Sequence, residues 1–165
     1  MYVHIFATPF QGTLFQIMKI EDEIKQPVFK DAFQKGLINL VYTAGWVQQR
    51  NSSQFKEFGI TLPQFNILRI LRGQHPKPAT VNLLIERMLD KTSNASRIVD
   101  KLEAKKLVTR TVCPSNRRAV DICITDSGLE LLLEIDKVLE QEPLLHKLTE
   151  AEVSQLSDLL DKIRD

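Results

Sequence analysis

Cysteine and histidine are scarce: two and three residues in a chain of 165. The two thiols, Cys113 and Cys123, exclude a disulfide framework and point to a reducing compartment. His4, His75 and His146 are too scattered for zinc-ligand spacing. No glycine-rich dinucleotide loop, Walker loop, nucleophile elbow or paired-histidine zinc motif occurs, so neither catalysis nor a cofactor is expected. Carboxylates are plentiful, but those of the C-terminal segment recur at helical spacing among leucines, as on a solvated face.

Long apolar runs are also missing. None approaches the roughly 20 residues needed to span a bilayer, and no membrane partner is expected. Residues 1–17 are partly apolar, yet no Lys or Arg precedes them, and His4, Thr8, Pro9, Gln11 and Gly12 break the run. A signal peptide is therefore not expected, and a cytoplasmic location is. Residues 1–25 read as an N-terminal extension, with Met18 as an alternative start.

Net charge is +1, which by itself names no partner. Its distribution is more telling. Residues 91–125 hold eight Lys/Arg against three Asp/Glu, whereas residues 126–165 hold four against eleven. A basic middle and an acidic tail raise the question of nucleic acid.

Apolar spacing of three and four through Phe29, Phe33, Leu37, Leu40, Val41 and Ala44 predicts a long helix over 27–58, ended by Gly59. Thr61, Pro63 and Gln64 open a second helix as a capping box with proline in the first turn. A loop with Pro76 and Pro78 leads to a short helix over 80–88, then a turn and a helix over 92–105. Two strands follow at 107–113 and 119–125, where Val120, Ile122 and Ile124 alternate, joined by the polar stretch 114–118. Helices from Thr125 and from Thr149, the latter with Glu152 completing a capping box, close the chain.

The helix over 92–105 carries the chemistry. At 100° per residue, Ile98, Leu102, Ala95 and Val99 form one apolar stripe. Ser93, Ser96, Arg97 and Asp100 lie opposite, flanked by Asn94 and Lys101. Short polar groups let a backbone approach a major groove, while Arg and Asn match base edges. Ser93, Asn94, Ser96 and Arg97 are thus candidates for approaching bases, with Lys101 on phosphate or a neighbouring base. Arg117 and Arg118 at the hairpin tip suit a minor groove or backbone phosphates. Double-stranded DNA is the expected partner.

Three stretches carry a family resemblance: 93–110 (SNASRIVDKLEAKKLVTR), 113–128 (CPSNRRAVDICITDSG) and 148–153 (LTEAEV). From about Leu62 onward the chain resembles the MarR family of bacterial winged-helix transcription regulators. The first stretch resembles the family's recognition helix, the second its wing, the third the opening of its last helix. The resemblance implies a mainly α (α+β) fold: a winged helix-turn-helix with a small β-hairpin wing, flanked by long N- and C-terminal dimerisation helices. Residues 59–125 would be the DNA-binding lobe; 26–58 with 126–165 would form the dimerisation lobe of one domain, 26–165.

Two positions depart from the family pattern. Asn116 stands where an Asp usually precedes the wing arginines, and a neutral amide holds them less strongly. Lys106 stands where glycine is common, so a positive φ there would be strained.

The resemblance further implies a homodimer, which the leucine and phenylalanine of the flanking helices also favour. It implies a repressor released by a small-molecule effector, seated between the dimerisation helices and the winged helix. Trp46, Phe55, Phe58 and Phe65 are candidate lining residues. Some relatives sense oxidants through a thiol in the first helix, where this chain has none. Folding the hairpin about Asn116 sets Cys123 opposite residue 109 and Cys113 opposite residue 119, so the two thiols are not neighbours. The rival reading, a winged helix used only for protein contact, leaves the basic middle segment without a role.

Overall fold

Side-chain caps decide where most helices begin in the computed structural model of this chain, which describes residues 18–113, 116–141 and 143–164 and, at 113 and 116–119, the backbone alone. The expectations for residues 1–17 lie outside the described residues. In chain order the elements are α1 (Ile20–Glu23), α2 (Ala32–Glu57), α3 (Leu62–Gln74), β1 (Ala79–Thr80), α4 (Val81–Arg87), α5 (Ala95–Ala104), β2 (Val108–Cys113), β3 (Asn116–Ile124), α6 (Asp126–Gln141) and α7 (Glu150–Arg164). Two compact units divide the chain, one ending at Val47 and the other spanning Gln48–Asp165.

In the first unit, α1 is tied to the opening turns of α2. Lys35 Nζ donates to Glu21 Oε1 at 2.5 Å, and Tyr42 Oη donates to Glu23 Oε2 at 2.6 Å. Its single buried residue on α1 is Ile20. The helix expected from residue 27 starts only at Ala32, because Asp31 Oδ1 accepts the Gln34 amide at 2.8 Å and fixes the first turn there. Phe29 therefore precedes the helix rather than belonging to it.

The second unit holds the core. Thr61 and Gln64 form the anticipated capping box of α3, with Pro63 in its first turn. From α3, the buried Ile67, Leu68 and Leu71 join one cluster with Leu84, Val99, Leu102, Ile122, Leu132 and Ile135. In packing terms α3 is the hub, touching α4, α5, β3 and α6. Each fully buried aliphatic side chain contributes about 1.5–3 kcal/mol relative to an exposed one, so this cluster dominates the unit's stability.

Three helix ends share one C-terminal motif. Gly59 at φ +67° follows α2, with the Ile60 amide bonded to the Phe55 carbonyl at 3.1 Å. Lys106 at φ +60° follows α5 in the same way, the Leu107 amide reaching the Leu102 carbonyl at 3.0 Å. Lys25 at φ +57° repeats it after α1, with Gln26 bonded to Glu21 at 3.0 Å. The positive φ anticipated at Lys106 is present.

The expected hairpin is part of a larger sheet. Ala79–Thr80 adds a third antiparallel strand, giving the order β1-β3-β2 with Ala79 opposite Ile122. Two residues are too few to show a period of two, which is why the sequence read there as loop. β3 begins at Asn116, three residues earlier than anticipated, so most of the polar connection is strand. Cys123 pairs with Thr109 as expected, but a bulge after Val112 sets Cys113 opposite Asn116 rather than residue 119.

Candidate nucleic-acid interface

The polar face of α5 stands over a buried stripe. Ala95, Val99 and Leu102 are buried and Ile98 half-buried, while Asn94, Ser96, Arg97, Asp100 and Lys101 are exposed. This is the division that the helical spacing predicted.

The helix starts at Ala95, however, three residues later than expected. Asn94 is its N-cap, its Oδ1 accepting the Arg97 amide at 3.1 Å. Ser93 thus lies in the turn before the helix and is only half exposed. Its Oγ donates to Asp90 Oδ2 at 2.5 Å. Asp90 Oδ1 also accepts the Thr92 amide at 2.9 Å and Thr92 Oγ1 at 2.6 Å. These donors, Ser93 first, hold the Asp90 carboxyl down at about 2.

Several cations of the basic segment are spent internally. Lys91 Nζ donates to the carbonyls of Ile85 at 3.2 Å and Glu86 at 2.5 Å, complementing the end of α4. Lys105 Nζ donates to the Gly59 carbonyl. Arg110, on β2, pairs with Asp100 at 2.7 Å and lies 3.9 Å from Glu103. That guanidinium offsets the carboxylate which otherwise interrupts the polar face of α5, and it ties helix to strand. Arg97 and Lys101 remain exposed on the outer face.

Arg117 and Arg118 have their backbone in β3, and their side chains lie outside the described residues, as does that of Asn116. The Cys113 side chain is likewise outside them, while Cys123 is a free, half-buried thiol.

A pocket of about 480 Å³ opens between the end of α2, the start of α3 and residues Met88–Asp90. Ile60, Leu62, Pro63, Met88 and Leu89 give it apolar walls, with Gln48, Ser52, Lys56, Thr61, Asn66 and Asp90 as polar ones. The four candidate aromatics are elsewhere. Phe55 and Phe65 stack on each other with centroids 4.4 Å apart, Phe58 is half-buried against the core, and Trp46 is about half exposed.

From sequence, Arg110 was not picked out, and Asp90 was read only as part of the turn before the helix. An Asp two and three residues before Thr92 and Ser93 is a recognisable turn signature. Arg110 offered no local signal, because its partners lie across the helix–strand packing.

A short helix, a tight turn, a second helix with a polar outer face and an antiparallel sheet behind it together define a winged-helix protein. Residues 58–119 match the model of the MarR family. The HTH-type transcriptional regulator MhqR of Bacillus subtilis (strain 168) is 25% identical over 119 residues, which cover 71% of this chain and 81% of MhqR. A MarR transcription factor from Planctomyces limnophilus aligns with TM-score 0.63 at 29% identity, covering 81% of this chain and 98% of its own. MepR from S. aureus in its DNA-binding conformation gives TM-score 0.59 at 26% identity, over 75% of this chain and 92% of that one. Among the described residues, no helix is long and apolar enough to cross a membrane.

Proposed function

We propose that this chain is a sequence-specific, double-stranded-DNA-binding transcriptional regulator that acts as a homodimer in the cytoplasm. The observation that carries this reading is the exposed face of α5, where Ser96, Arg97 and Lys101 project from a helix whose opposite stripe buries Ala95, Val99 and Leu102. Such a helix enters a major groove as a rigid body, its short residues near the bases and its cations on edges and phosphates. In this reading Arg97 reads a base, Ser93, Asn94 and Ser96 line the approach, and Lys101 meets phosphate. Arg117 and Arg118 serve the minor groove beside it. The relative MhqR, named as an HTH-type transcriptional regulator, and MepR in its DNA-binding conformation favour the same assignment.

The homodimer is favoured by apolar surface that one chain leaves uncovered. On α7, Leu156, Leu159 and Ile163 are exposed, and none of its residues is buried. On the opening turns of α2, Phe33, Leu37 and Val41 are exposed too. A small-molecule effector, with repression relieved on binding, completes the proposal. The 480 Å³ pocket falls within the size range of small-ligand sites, and its walls replace Trp46, Phe55, Phe58 and Phe65, none of which lines it, as the candidate effector site.

Selection from random duplexes tests the core of this reading. Two copies of α5 about a twofold axis should enrich an inverted repeat whose half-sites lie roughly 10 bp apart. Enrichment of no repeat, or of single strands, would leave the protein-contact reading in its place.

A further inference from the structure

The turn that leads into α5 is held by polar side chains rather than by packing. Leu89 donates its amide to Asn66 Oδ1 at 2.9 Å while its own side chain is exposed. Lys91 is spent on the carbonyls of α4. Asp90 then takes three donors from Thr92 and Ser93, and Asn94 caps the helix through its Oδ1. Each proton or lone pair used in this way is withdrawn from other partners.

For Ser93 the consequence is a polarity. A hydroxyl carries one proton and two lone pairs. With the Ser93 proton directed at Asp90 Oδ2, 2.5 Å away, only acceptor capacity is left for anything that meets its outer side. We infer that Asp90 is a positioning and specificity-determining residue for the interface, which fixes Ser93 as a hydrogen-bond acceptor towards DNA. The inference rests on the DNA-binding reading above and refines it.

The major groove makes this polarity meaningful. An acceptor suits the exocyclic amino groups of cytosine and adenine, and meets only other acceptors at the N7 and O6 edges of guanine. It also cannot donate to a phosphate oxygen. Ser93 therefore discriminates against guanine at its base rather than gripping the backbone. As an ionised carboxylate next to the DNA-facing turn, Asp90 weakens binding to every sequence through charge. Its value lies in selectivity.

The test compares operator and random-duplex affinities of wild type, Asp90→Asn, Ser93→Ala and the double variant at one fixed salt concentration, with the operator taken from wild-type selection. Asp90→Asn keeps the shape, removes the charge and lets the Ser93 proton turn outward. It should hold or raise affinity for random DNA, while the operator-to-random ratio falls at least about fivefold, the lower end of one lost base discrimination. Repeating the selection with Asp90→Asn should admit guanine at one position per half-site where wild type excludes it. Ser93→Ala should relax the same position, and the double variant should add little to either single change. An unfolded Asp90→Asn leaves Ser93→Ala to decide by that same position. A ratio within twofold of wild type in both variants, or loss at different base positions, overturns the inference. Failure of wild type to select any operator overturns the DNA-binding reading itself, and this inference with it.

Discussion

Lys106 occupies a backbone conformation that glycine adopts at Gly59 in the same C-terminal motif. A side chain in the left-handed region costs roughly 1–2 kcal/mol, offset in part by the greater entropy of unfolded glycine, about 0.4–1 kcal/mol. Lys106→Gly should therefore stabilise the fold by about 0.5–1 kcal/mol, read as a higher urea midpoint with an unchanged slope. A lower midpoint would mean that the Lys106 side chain makes a contact worth more than the strain. The same scale separates reading from gripping on α5. Arg97→Ala should cost about 1–3 kcal/mol at one operator position per half-site and relax preference there. Lys101→Ala should weaken all duplexes alike and reduce the salt slope by about one. Equal losses on operator and random DNA for both variants would place the recognition face elsewhere. At this scale the exposure of Arg97 and Lys101 was legible in the sequence from spacing along one helix, and the positive φ of Lys106 from the family resemblance. Asn94 was read for its base chemistry, whereas its amide oxygen is engaged as a helix cap. Local hydrogen-bond competition of this kind depends on where the helix starts, and the start shifted by three residues.

Gly128, in the first turn of α6, shows how elements are joined at a corner. A Cβ built there would lie 2.4 Å from the Leu107 carbonyl oxygen and 2.7 Å from Ile124 Cγ1. The neighbouring Thr125 Oγ1 accepts the Gly128 amide at 3.1 Å and donates to the Lys106 carbonyl at 2.8 Å. The end of α5, the start of β2, the end of β3 and the start of α6 therefore meet within one hydrogen-bonded junction. Because the obstructing atom belongs to backbone, it cannot swing aside. Gly128→Ala should cost on the order of 1–3 kcal/mol, as overpacking of a tight site does, and should lower the thermal midpoint while preserving helical content. A neutral result would show that the corner opens without penalty. Helix existence and most caps were legible because periodicity and capping chemistry are local; Thr61 with Gln64 and Thr149 with Glu152 both form as read. β1 was not legible, being two residues long and defined as a strand by its pairing with β3. Nor was the Arg110 bridge to Asp100, which needs β2 and α5 already side by side.

At the scale of the whole molecule, one chain leaves an unexplained surface. Residues 156, 159, 160 and 163 repeat at three and four along α7, as a buried helix face does, yet Leu156, Leu159 and Ile163 are exposed. The periodicity announced that this face is covered, but periodicity does not say by what, since an intramolecular and an intermolecular partner impose the same pattern. Under the proposed homodimer a second copy is the occupant, and it would also serve operator binding, because two recognition helices tied together pay the entropic cost of association once. A charge set into that face should then separate the copies without touching α5. Leu159→Glu combined with Ile163→Glu should shift the protein from dimer to monomer in sedimentation at micromolar concentration, and its thermal midpoint should lose any dependence on concentration. Operator affinity should fall by more than tenfold, because each half-site is then bound independently. Affinity for random duplexes, which needs only basic residues near phosphate, should fall far less. An intact dimer in the double variant would assign the interface to the other exposed apolar face, at Phe33, Leu37 and Val41 on α2. A monomeric variant that still binds the inverted repeat at wild-type affinity would break the link between dimerisation and operator recognition altogether.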